Sequence, residues 1–340
     1  MKKMAIGCEE EQKKYVGSVD IVRFLMMLLI MCHHLYLLGY SENYPGYSCW
    51  AWVDYFFILT GFFTMRHFDG CEKKEDFAKE AMAYTIKKFK NYMPYIFVSV
   101  TIQYILAGLP YIRQHDLREA VKVFVNMPYE ALLLSSSGIV WPKMAPIWFL
   151  SAMFLTLPLL IYMILRFRDL WKILSWLIPV LYYGKMGVNT LREWPNDLIR
   201  AFACMALGTF VYMMTQYMRK TKLSKMAKLI LTFVEAGSFC LCTYITVTNK
   251  DFMNLLILLF AVHAMILLSG CSFTGQIHGR GFKFLGELSF YMFIFHWVVG
   301  SIAAMLSSVS VVRLCIYFAG TIAVSGAAMW INYKISGRMR

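Results

Sequence analysis

Charge is scarce in this chain. Only 16% of its 340 residues are charged, and 20 acids stand against 34 Lys and Arg. A soluble domain carries about a quarter charged residues. Proline is limited to nine residues, and no Pro/Ser/Gly-rich linker or internal repeat divides the sequence. The nine cysteines are scattered without a C-x-x-C pair, so they read as small packing residues rather than disulfide or metal ligands. These shortages exclude a disordered chain, a disulfide-stapled secreted domain and a soluble Rossmann-type enzyme. Apolar residues are what is abundant, at 59%, with a mean hydropathy of +0.54. A soluble core of this size cannot hide so much apolar surface. The class that remains is an all-α, polytopic integral membrane protein, read as one membrane-embedded domain over 1–340.

Ten stretches are apolar and long enough to approach the roughly 20 residues that a hydrocarbon core requires. They lie near 18–38, 50–66, 92–111, 146–165, 171–184, 198–217, 228–248, 252–271, 284–306 and 311–333. The fifth is short and contains Pro179. The stretch 126–141 (NMPYEALLLSSSGIVW) is too short and too polar to span, and is expected to be re-entrant or superficial. Sorting the basic residues by alternate loops puts 24 on one side and nine on the other, with Arg23 inside the first span. The positive-inside rule then expects both termini in the cytoplasm. It makes 1–17 a cytoplasmic segment and the first span an uncleaved anchor in the plasma membrane. Most of the net charge of +14 is thereby spent on orientation, which removes nucleic acid as a partner.

Ionisable groups inside spans are costly and are functional candidates. In the first span, Arg23 and His34 are eleven residues apart, which puts them on one helix face about 16 Å apart along the axis. Asp20 lies three residues before Arg23 and is placed to pair with it. Snorkelling of Arg23 and an inter-helix hydrogen bond from His34 are the plain alternatives. Their shared face favours function. Asp54, at the start of the second span, either holds the His34 imidazole in one tautomer or simply favours a helix N-terminus. Thr60-Gly61 permits close approach of a neighbouring backbone or a thin ligand. Lys87, Lys88 and Lys90 crowd the entry to the third span, suiting either anchoring or phosphate binding. Trp148 stands at an outer interface, and His263 and His296 lie within late spans, where either can bridge helices.

The motifs resemble those of membrane acyltransferase family 3, bacterial enzymes that modify surface polysaccharides. Asp20-Ile21-Val22-Arg23-Phe24 through His34 matches the family's Arg-x(10)-His signature. FFILTGFFT resembles its F-F-x-x-S-G-F element, with Thr60 for serine. KKFKNYMPY resembles its R-x-x-R-x-x-P element, with Lys87 and Lys90 standing for the arginines. IWFLSAMF resembles its W-x-L segment without the glutamate many members carry, and LGELSFYMFIFHW places His296 at the late histidine.

The resemblance implies an O-acyltransferase that carries acetyl from acetyl-CoA to a hydroxyl of a surface or secreted glycan. His34 would be the catalytic base, oriented by Asp54, or would itself carry the acyl group transiently. Arg23, Lys87 and Lys90 would hold the donor, and Asp20, Thr60, Gly61, Trp148 and His296 would line the pocket. Acetyl-CoA is then a co-substrate, with no bound cofactor and no metal, and the acceptor is a glycan or lipid-linked sugar. A transporter or flippase for ions or lipid-linked sugar is the rival reading, since the same polar face suits a translocation path.

Overall fold

A computed structural model describes residues 16–41, 43–70, 76–139, 143–186 and 196–335. Ten long helices coincide with the ten apolar stretches: α1 (Gly17–His33), α2 (Trp52–Phe68), α3 (Phe77–Arg113), and, after two short ones, α6 (Ile147–Arg166), α7 (Arg168–Met186), α8 (Asn196–Lys220), α9 (Lys225–Val247), α10 (Met253–Ser269), α11 (Arg280–Leu306) and α12 (Ser310–Ile335). The short ones are α4 (Leu117–Val125) and α5 (Met127–Ala131). No strand occurs among the described residues. Seven helices are long and apolar enough to cross a membrane: α1 with its 3-10 extension to Leu38, α3, α6, α8, α9, α11 and α12. Of the other three, α2 and α10 stop at 17 residues and α7 is interrupted by charge near its start and by Pro179. Of the segment 1–17, only residues 16 and 17 are described.

The third helix is longer than its apolar stretch. It begins at Phe77 because the Asp76 carboxylate accepts the Lys79 amide at 2.9 Å, an N-cap that extends the helix through the lysine cluster. The described part of 126–141 folds as α5 followed by a short 3-10 turn, Ser135–Ser137. The buried Glu130 carboxylate anchors it, accepting the Tyr104 hydroxyl at 2.6 Å and the Lys143 and Met144 amides at 2.9 and 2.8 Å. Ser136 ties the same segment to α6, donating through its hydroxyl to the Trp148 carbonyl at 3.0 Å.

Two glycines set the tightest packing. A methyl group on Gly61 of α2 would stand 1.9 Å from the Met205 carbonyl oxygen, and one on Gly208 of α8 would stand 2.0 Å from that of Ile58. The two helices therefore touch backbone to backbone, as small residues allow inside membranes. Thr60-Gly61 thus receives a neighbouring helix, with the Thr60 hydroxyl returned to the Phe56 carbonyl at 2.9 Å. On the other side of the bundle, α11 packs against α1, α3 and α12. There Gly286 makes room for Asp20, whose carboxylate occupies the space a Cβ would need.

Candidate functional site

Polar groups gather at opposite ends of this bundle. At one end, α1 finishes at His33 and passes into a 3-10 turn that starts with His34. His34 is buried, and its Nδ1 lies 3.2 Å from Nε2 of His296, which is wholly buried on α11. The His296 Nδ1 stands 3.0 Å from the Met292 carbonyl and 2.8 Å from that of Phe293. Carbonyls only accept, so His296 Nδ1 carries the proton and its Nε2 offers a lone pair. His34 must then donate through Nδ1–H. One nitrogen is left: His34 Nε2, which carries no proton in this tautomer. Trp297 closes the site edge-on, its ring 5.3 Å from that of His34. His33 turns away, its Nδ1 2.5 Å from the Tyr47 carbonyl.

Asp54 sits elsewhere than expected. Its fully buried carboxylate accepts Arg200 Nε at 2.7 Å rather than meeting His34. The Arg200 guanidinium lies between the rings of Trp50 and Trp148, 4.7 and 5.3 Å from their centroids. Asp54 thus answers a buried cation, and the side chain in hydrogen-bond reach of His34 is His296. Trp148 packs on Arg200 and edge-on to Phe57. His263 bridges helices, 2.5 Å from the Tyr55 hydroxyl.

At the opposite end a cleft of about 360 Å³ opens where α1 and α11 begin and α2, α8 and α10 end. Arg23, Arg66, Arg219 and Lys283 line it, with Asp20 and Glu287 as the acids. Arg23 donates to the Asp20 carboxylate at 3.2 Å, the pairing their spacing implied. Arg219 is fixed by the end of α10, donating to the Leu268 and Ser269 carbonyls at 2.7 and 3.2 Å. Among the described residues no cluster of three His, Cys, Asp or Glu side chains is placed to ligate a metal.

The family profile of the acyltransferase domain matches residues 16–330, nearly the whole chain. The chain belongs to acyltransferase family 3. No curated protein and no solved structure matches it. With its apolar helices, the family makes it a multi-pass membrane acyltransferase.

For this acyltransferase, the basic element before Pro94 reads differently in the fold. Lys87 and Lys90 are exposed on α3, whereas Lys88 is half-buried and close enough to Arg23 for their charges to interact. Counting back from Pro94 by threes and sixes reaches Asn91 and Lys88, so the proline register already favoured Lys88. Arg66, Arg219 and Arg200 were hidden in the sequence among residues assigned to anchoring. Only their places near helix ends distinguished them.

Proposed function

We propose that this membrane acyltransferase is an O-acetyltransferase that takes acetyl-CoA from the cytoplasm and acylates a hydroxyl of a surface or secreted polysaccharide. In this reading all ten long helices cross a bacterial plasma membrane, with both termini cytoplasmic. The basic cleft holds the donor's phosphates through Arg23, Arg66 and Arg219, with Lys88 adding charge beside Arg23, and the pantetheine arm extends along α1. The roughly 16 Å between Arg23 and His34 suits that elongated donor.

The hydrogen-bond chain from the α11 carbonyls through His296 to His34 is the observation that supports this reading most. His34 Nε2 takes the proton of the acceptor hydroxyl as its oxygen attacks the thioester carbon. The C–S bond then breaks, and the thiolate recovers that proton from the imidazolium. The proton account closes without an outside acid or base. His296 holds the imidazole in the productive tautomer and touches neither substrate.

The test is the O-acetyl content of cell-surface glycan in a deletion strain complemented with wild-type or His34→Ala protein. Wild type is expected to restore acetylation and His34→Ala to leave it absent. Full restoration by His34→Ala would remove His34 as the base.

A further inference from the structure

The basic cleft has a neighbour. A second cleft opens between the end of α8, the start of α9 and the end of α10, and Arg219 lines both. Its cations are Arg219, Lys222 and Lys228, and no acid lines it. Arg23 and Lys283 in the first cleft each stand beside a carboxylate, at 3.2 and 3.7 Å. Among the described residues, no carboxylate pairs with Arg66, Arg219, Lys222 or Lys228. Arg66 and Arg219 are near enough to repel one another. Uncompensated like charges at close quarters cost energy that a bound anion relieves. The two clefts therefore call for two anionic groups, one on each side of a guanidinium fixed by backbone carbonyls.

On the donor reading above, which this inference assumes, the order of groups along coenzyme A decides which anion goes where. The thioester must reach His34, so the pantetheine arm leaves along α1 from the first cleft. The diphosphate, next to that arm, falls among Arg23, Arg66 and Arg219. The ribose 3′-phosphate lies on the far side of the diphosphate and falls beyond Arg219, away from α1. We infer that Lys222 and Lys228 receive the 3′-phosphate and select coenzyme A over donors that lack it. Lysine suits this task, since a terminal dianion is read as a point charge rather than through a bidentate fork.

The test compares CoA with dephospho-CoA, which differs only by that phosphate, binding to the purified full-length protein in detergent by calorimetry. Wild type is expected to bind CoA about ten- to a hundredfold more tightly. Lys222→Ala with Lys228→Ala should bring the two affinities together by weakening CoA alone. Arg66→Ala should weaken both ligands. Equal binding of the two by wild type, or a preference that survives the double lysine variant, overturns the selector role while leaving the donor reading intact. If wild type binds neither, the donor reading fails and the selector role with it. Both lysines are outside the packed core, so the double variant is expected to keep the wild-type unfolding temperature, measured alongside.

Discussion

His34 Nδ1 and His296 Nε2, 262 residues apart in sequence, face each other at 3.2 Å. The contact joins the end of α1 to the middle of α11 and leaves His34 Nε2 as the free lone pair. On the proposed mechanism, His296 acts by positioning.

His296→Phe removes the acceptor of that hydrogen bond and frees the imidazole to take the other tautomer. It is expected to lower kcat by about 10²-fold, with the donor KM little changed. His296→Gln, whose amide oxygen can accept, should recover part of the loss. The split between kcat and KM, and the rescue, separate positioning from damage to the fold.

Arg23→Ala should act on the donor instead. An increase of about tenfold or more in donor KM is expected from losing one charged contact to phosphate. Because the side chain is about one-third exposed, added salt should raise the wild-type donor KM in the same direction. Steady-state kinetics at two ionic strengths check both.

Among the three lysines before Pro94, the fold singles out one. Lys88→Ala should raise the donor KM more than Lys87→Ala or Lys90→Ala, whose side chains are exposed on the rest of α3. Equal effects across the three would mean that the cluster acts only as diffuse positive charge.

Glu130→Ala would strip one hydroxyl and two amides of their buried acceptor. Each orphaned donor costs about 1–3 kcal/mol. A clear fall in unfolding temperature in detergent is expected, with the segment over α6 the first part to become open to protease. An unchanged unfolding temperature would show that the anchor is dispensable.

The elements were legible because apolar length is written directly in the sequence, and each of the ten stretches became a helix. The Asp20–Arg23 pair was legible for a similar reason, since three residues on a helix is a local relationship. What sequence could not supply were pairings across the bundle. Asp54 had two equally good local accounts, and the deciding partner, Arg200, is 146 residues away and looked like a loop charge. Lys88 differs, since its place six residues before Pro94 is written in the sequence and only its closeness to Arg23 is not. His296 was visible as a histidine in a span. Its tautomer, and hence its role, required the carbonyls of Met292 and Phe293 beside it.

The backbone contact between α2 and α8 has a mechanical meaning. Those two helices carry Asp54 and Arg200 at one end and Arg66 and Arg219 at the other. With Gly61 and Gly208 seated against carbonyls, neither helix can slide past the other without a steric clash. The pair is a strut of fixed length. It keeps the cleft guanidiniums of Arg66 and Arg219 at a set distance from the opposite end of the bundle, where Asp54 and Arg200 are paired, so neither charge cluster can shift along the bundle axis without the other.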